Sequence, residues 1–222
     1  IARNFKKYLK KINLPETIIY AEGVSNSSSK NKNIFIKEIK KIDSFLKYNM
    51  KKKIIYISTC SIFDPSRKKS NYCKNKIKIE EKIKKFCKKY IILRFPEIIG
   101  KNNNPYTLSN FIYNKIKQQK TFNLWNGVKR NLIGIDDAMI LSIFFLKKYK
   151  NKNKIFNIIN KNYYKPVQLV KIFEDLMNKK AKFRLTYKKV KSWKIKKSNS
   201  LSDERKMKII FDENYLKKKI KK

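Results

Sequence analysis

Hydrophobic and polar positions alternate between two regimes along the chain. Short, continuous apolar runs of five or six residues are followed by longer stretches in which apolar residues recur every three or four positions. Thr17–Ala21 (TIIYA), Lys53–Ser58 (KIIYIS), Tyr90–Phe95 (YIILRF), Asn131–Ile135 and Lys154–Ile159 read as strands. The helical stretches are Ile34–Tyr48, Ser70–Lys89, Thr107–Gln119, Asp136–Tyr149 and Pro166–Lys179. In the Ser70–Lys89 helix, Ile77, Ile83 and Phe86 are expected to face inward. Asp136 or Asp137 suits the N-cap of the helix that follows it, and Pro166 suits a first helical turn. An opening segment, Asn4–Ile12, reads as a further helix, and the region after Ala181 is lysine-rich and weakly patterned. Strands separated by helices of this length build βαβ units and a parallel sheet.

That pattern implies an α/β fold: a doubly wound parallel sheet with a small C-terminal region beside it. The sequence does not begin with methionine, and its four glycines are Gly23, Gly100, Gly127 and Gly134. No glycine-rich run of the kind that cradles a pyrophosphate at a helix N-terminus can be written with them. The expectation is therefore a sheet lacking its first strands, in a chain that on its own holds a dinucleotide poorly.

Composition changes this picture little. The formal charge is +42, yet only six of the 58 basic residues are arginine, and the lysines run end to end among Asn and Ile. Nucleic-acid readers concentrate basic residues on one face and use Arg for bidentate contacts. The lysines fit a compositional bias better than a binding stripe, although weak, salt-sensitive attraction to polyanions is expected. Without histidine, zinc sites and His-based triads are disfavoured, and no metal is expected. Cys60, Cys73 and Cys87 carry no metal-ligand spacing and read as core filler in a reducing cytoplasm. The longest apolar stretch, Ala138–Leu146, is far shorter than the roughly 20 residues of a membrane helix.

Chemistry is suggested by one tyrosine. A phenol titrates near pH 10, so it exchanges protons near neutrality only with help. A lysine one helical turn later lies on the same face and favours the phenolate. Five Tyr-x-x-x-Lys pairs occur: Tyr48/Lys52, Tyr72/Lys76, Tyr113/Lys117, Tyr187/Lys191 and Tyr215/Lys219. Chance alone gives about three with 13 tyrosines and so many lysines, and the bland alternative for each is a solvated helix face. Only Tyr72/Lys76 follows an apolar strand that ends in a hydroxyl cluster, Ser58-Thr59-Cys60-Ser61.

Together with Leu93–Gly100 (LRFPEIIG), Arg130–Ala138 (RNLIGIDDA) and Ile18–Gly23 (IIYAEG), this stretch resembles the extended short-chain dehydrogenase/reductase family, in its nucleotide-sugar epimerase/dehydratase branch. The resemblance spans residues 17–138 and continues less distinctly to the C-terminus. It implies a truncated Rossmann-type domain over residues 1–100 and 136–160, and a substrate-binding region over 101–135 and 161–222. It implies NAD or NADP as cofactor, a nucleotide-linked sugar as substrate, and a homodimer as a compatible assembly. By the same resemblance Thr59, Tyr72 and Lys76 are the catalytic candidates, with Ala21, Gly23, Ser58, Tyr72, Lys76 and Pro96 near the cofactor. Ser61, Glu97 and Arg130 then fall near the substrate, Arg130 against its diphosphate, and Arg94 is structural. Cys60 and Ser61 stand where the dehydratases of this family carry an acidic pair, so dehydration is not expected. Epimerisation and reduction both remain open. So does a non-catalytic, polyanion-binding use of the same scaffold.

Overall fold

The computed structural model describes residues 14, 16–100, 104–187, 194–198 and 201–221. Four strands form a parallel sheet in the order β1-β2-β3-β7. They are β1 (Thr17–Tyr20), β2 (Lys53–Thr59), β3 (Lys89–Phe95) and β7 (Lys154–Asn157). Thr17 pairs with Lys53, Lys53 with Lys89, and Ile91 with Lys154, so all four chain segments run the same way. This is the doubly wound arrangement expected from the alternation of elements. The anticipated opening helix, Asn4–Ile12, lies outside the described residues.

Every residue of β2 is buried, because both faces of the sheet are covered. Ile54 and Tyr56 face one way, into a cluster with Ile42 and Leu46 of helix α1 (Lys32–Asn49) and Ile79 and Ile83 of helix α2 (Asn71–Phe86). Ile55 and Ile57 face the other way, with Ile91 and Leu93, into a larger cluster that includes Ala138, Leu141 and Phe145 of helix α4 (Ile135–Lys148). A strand buried on both faces has no polar face to alternate with, which is why its sequence reads as a continuous apolar run.

The helix starts are locally encoded. Asn31 accepts the Asn33 amide ahead of α1, and Ser70 accepts the Cys73 amide ahead of α2. Helix α4 departs from expectation. Its N-cap is Gly134 with no side-chain bond, and Asp136 and Asp137 lie inside the first turn. There they favour the positive helix end, while Asp137 accepts the Tyr215 hydroxyl (2.7 Å).

The inner face of α2 also differs from the sequence reading. Ile83 is fully buried, but Ile77 and Phe86 are 37% and 44% exposed. The buried face runs through Cys73, Lys76, Ile79, Glu80 and Ile83. Two of those positions are charged, so hydrophobicity alone displaces the apparent face by one residue.

Smaller strands surround the carboxyl end of the sheet. β4 (Glu97–Ile99) and β6 (Arg130–Gly134) are parallel, and β8 (Tyr163–Tyr164) is antiparallel to β6. β5 (Phe122–Asn126) pairs in parallel with β9 (Phe183–Tyr187), bringing part of the weakly patterned tail into a sheet. Helix α3 (Leu108–Lys117) and helix α5 (Pro166–Met177) pack beside them. The chain closes with α6 (Leu201–Lys206) and α7 (Tyr215–Lys221). α7 is tied to the β6–α4 junction: the Gly134 amide donates to the Tyr215 hydroxyl at 2.8 Å, and Lys219 pairs with Asp137 at 2.7 Å. No helix among the described residues is long and apolar enough to cross a membrane.

The revised face of α2 makes a direct comparison available. Ile91→Ala in the fully buried β3 should cost about 2–5 kcal/mol. Ile77→Ala on the outer face of α2 should change stability by no more than about 0.5 kcal/mol. Urea unfolding of the two variants checks the assignment, and equal losses would contradict it.

Candidate active site

The carboxyl ends of β1, β2 and β3 open into one cavity of about 440 Å³. A parallel sheet collects ligands at this edge because the loops after the strands diverge there. Nine of the ten candidate residues read from the sequence line it. Ala21 and Gly23 come from the turn after β1, and Ser58, Thr59 and Ser61 from the end of β2. Tyr72 and Lys76 come from the first turns of α2, and Pro96 and Glu97 from the end of β3.

Thr59 and Tyr72 meet. Thr59 Oγ1 accepts the Ser61 amide at 3.1 Å, which leaves its own O–H to donate to the phenol of Tyr72. Burial pushes the Tyr72 pKa up to about 12; the Thr59 hydrogen bond lowers it, Glu38 adds to the rise, and Arg67 opposes it. The phenol is therefore neutral near pH 7 and is held by the Thr59 hydroxyl.

Lys76 is on the same face of α2, its ammonium 5.8 Å from the centre of the Tyr72 ring and 5.5 Å from that of Tyr56. It is paired at 2.9 Å with Glu38 of α1, and Asn75 donates to the other Glu38 oxygen at 2.8 Å. Both side chains of the pair are almost wholly buried. The sequence reading missed Glu38, although a signal was present. It shares one helix face with Phe35, Ile42 and Leu46, and an acid on an apolar face in a chain this basic calls for a buried cation.

Ser58 points to the helix side of the sheet, where its hydroxyl donates to Glu80 at 2.5 Å. Arg94 holds the same carboxylate from β3 with Nε at 2.9 Å and Nη2 at 2.5 Å, a structural use as expected.

Arg130 is the tenth candidate, and it stands behind the cavity. It is 6% exposed and donates through Nη1 to Asp64, with Glu97 3.9 Å from its Nε. Burial lowers its pKa, Arg67 lowers it further, and Glu97 and Asp64 counter that. The guanidinium in the wall of the large cavity is that of Arg67, 3.4 Å from Glu97 and 3.9 Å from Asp64. Arg67 follows the Asp64-Pro65-Ser66 turn, in which Asp64 accepts both the amide and the hydroxyl of Ser66. A short turn with no hydrophobic period gave the sequence reading nothing to find there.

The family model for NAD dependent epimerases and dehydratases matches residues 2–158. The chain belongs to the NAD-dependent epimerase/dehydratase family. Solved structures of that type share the fold. One is a UDP-glucuronic acid 4-epimerase from Bacillus cereus, bound to UDP-glucuronic acid and NAD. It is 17% identical with a TM-score of 0.70, over 98% of this chain and 76% of that one. A UDP-glucose 4-epimerase from Thermotoga maritima with UDP-glucose is 16% identical (TM-score 0.66), over 99% of this chain and 79% of that one. A dTDP-4-dehydrorhamnose reductase from Bacillus anthracis with NADP is 16% identical (TM-score 0.63), covering 82% and 69%. No curated protein sequence matches the chain.

Within this epimerase/dehydratase-family chain, the two arginines near Glu97 separate by experiment. Arg130→Ala leaves Asp64 buried without its strongest partner and should cost roughly 3–5 kcal/mol. Arg67→Ala, at a half-buried site, should cost under about 1 kcal/mol. Chemical denaturation of both variants tests the division of labour.

Proposed function

We propose that this chain carries the acid–base and nicotinamide end of an NAD(P)-dependent epimerase or reductase acting on a nucleotide-linked sugar. The observation that carries the reading is the hydrogen-bonded Thr59–Tyr72 pair in the wall of the cavity, with Lys76 on the same helix face. A second support is the family itself. Structural relatives bound to UDP-glucose or UDP-glucuronic acid set the expected substrate class.

The residues present fit one half of a dinucleotide. Gly23 has φ +141°, and a Cβ there would come within 2.2 Å of Glu38 Oε1 and 2.8 Å of Lys76 Nζ. Only glycine lets the turn after β1 close so tightly over charged groups. Ala21, Gly23, Ser58 and Pro96 would border the nicotinamide ribose, with Lys76 within reach of its hydroxyls. Among the described residues no glycine-rich loop meets a helix N-terminus beside β1, so no pyrophosphate contact is assigned. NAD or NADP, when bound, supplies hydride exchange at the sugar carbon.

The chain's own residues then handle the proton. Thr59 orients the sugar hydroxyl or keto oxygen, and Tyr72 gives or takes the proton at that oxygen. As a neutral phenol, Tyr72 is set to protonate a keto oxygen. Ser61, Glu97 and Arg67 border the sugar side, and Arg130 supports it through Glu97 and Asp64. Residues 1–100 and 136–160 would form the nucleotide-binding part, and 101–135 and 161–222 the substrate part. The polyanion-binding alternative is not favoured, because the family and the shared cavity both point to an enzyme.

Turnover of UDP-glucose and UDP-glucuronic acid with NAD supplied is the test. Tyr72→Phe should lower kcat by about 10²–10⁴-fold while leaving the ligand-induced rise in melting temperature nearly intact. Thr59→Ala should lower kcat more than it raises KM. Tyr113→Phe, at another Tyr-x-x-x-Lys pair, should be close to silent. Loss of turnover at Tyr113 with activity kept at Tyr72 would overturn the reading, as would the absence of any thermal shift with either sugar nucleotide.

A further inference from the structure

Glu38 does more than fill a gap between helices. It comes from α1 and uses both carboxylate oxygens on α2: Oε1 on Lys76 Nζ at 2.9 Å and Oε2 on Asn75 Nδ2 at 2.8 Å. The pair lies under Gly23, whose missing Cβ is what gives the carboxylate its room. Lys76 is thus held to Glu38 and set away from solvent, its ammonium 5.8 Å from the Tyr72 ring centre. Two opposite charges 2.9 Å apart also offset part of one another's field at their neighbours.

We propose that Glu38 is a positioning residue that fixes the Lys76 ammonium beneath Gly23 and, by offsetting its charge, keeps Tyr72 harder to ionise than a free Lys76 would leave it. This rests on the reading of Tyr72 as the acid–base group, and it adds a residue to that machinery. The groups facing Tyr72 can be named from each side. Thr59 and Tyr56 come from β2, Arg67 from the turn before α2, Glu38 from α1, and Cys73 and Lys76 from α2 itself. Of the charges, Glu38 raises the phenol's pKa and Arg67 lowers it. Burial is the main reason the tyrosine stays un-ionised, and Glu38 adds to that bias, which suits delivery of a proton to a keto oxygen. Without that charge the Lys76 ammonium, 5.8 Å from the ring centre, would be left unopposed and would ease ionisation of the phenol.

The test reads the phenol directly and needs no turnover. Tyr72 ionisation is isolated as the difference in near-ultraviolet phenolate absorbance between each protein and its Tyr72→Phe counterpart, recorded immediately after a stopped-flow alkaline jump. In Glu38→Gln, which keeps an oxygen for Lys76 but removes the charge, the midpoint should fall by about 1 pH unit or more. Glu38→Asp should keep most of the original midpoint. A merely structural Glu38 would change the melting temperature and leave that midpoint where it was, and this outcome overturns the proposal. The double variant Glu38→Gln/Lys76→Met covers the case in which the single variant does not fold. Removing both members of a cancelling pair should leave the Tyr72 midpoint close to wild type. A rise of a full unit there would mean that Lys76 acts on Tyr72 uncancelled, and would equally overturn the proposal. If Tyr72→Phe keeps its turnover, the acid–base reading fails while this titration still stands or falls on its own.

Discussion

The structure depends on where a few carboxylates are put. The chain has 58 basic residues and 16 acidic ones. Six of those acids, Glu38, Asp64, Glu80, Asp137, Asp203 and Glu204, are buried among the described residues. Each meets a cation: Lys76, Arg130, Arg94, Lys219, Lys148 and Lys197 respectively. An unpaired charge in the interior would cost several kcal/mol. The helices can therefore seat against the sheet only in the arrangement that brings these partners together. Two of the pairs, at Glu38 and Glu80, lie along the inner face of α2, the helix that carries Tyr72. The packing of that helix and the placement of Tyr72 in the cavity wall are thus set by the same contacts.

The far end of the chain follows the same rule. Tyr215 and Lys219 form one of the five Tyr-x-x-x-Lys pairs, and both close on Asp137 at the start of α4. Burial and the neighbouring carboxylate push the Tyr215 phenol far above its usual value, so it acts purely as a hydrogen-bonding group. The same four-residue spacing therefore serves as a latch in one place and borders the cavity in another. What distinguishes them is the neighbour: a carboxylate directly on the phenol at Tyr215, and a threonine hydroxyl at Tyr72.

Much of this was legible in the sequence, and the parts that were not have physical reasons. The four parallel strands were readable because strands buried on both faces are apolar throughout. That Thr59, Tyr72 and Lys76 share one cavity was legible because the hydroxyl cluster ends such a strand and the tyrosine opens the next helix. The inner face of α2 was misplaced because Lys76 and Glu80 are buried as charges, and a hydrophobic pattern counts them as exposed. β4 and β8 are too short to show a period, and β5 finds its partner in β9, far along the chain. The family resemblance puts Arg130 against the diphosphate; its pairing with Asp64 was not legible, because that residue lies in a distant turn that no spacing connects to it. Arg67 was missed for the same reason.

The charge surplus that remains outside these pairs has a consequence of its own. The Glu38–Lys76 and Asp64–Arg130 pairs, buried on both sides, are shielded from dissolved ions, whereas the exposed lysines repel one another through water. At about 0.1 M salt that repulsion is damped beyond roughly 10 Å, and the interior attractions are barely touched. Most proteins decorated with surface ion pairs lose electrostatic support as ionic strength rises. Here the part that salt damps is the repulsion among like surface charges, so dilute buffer is the condition in which the surplus weighs most on the fold.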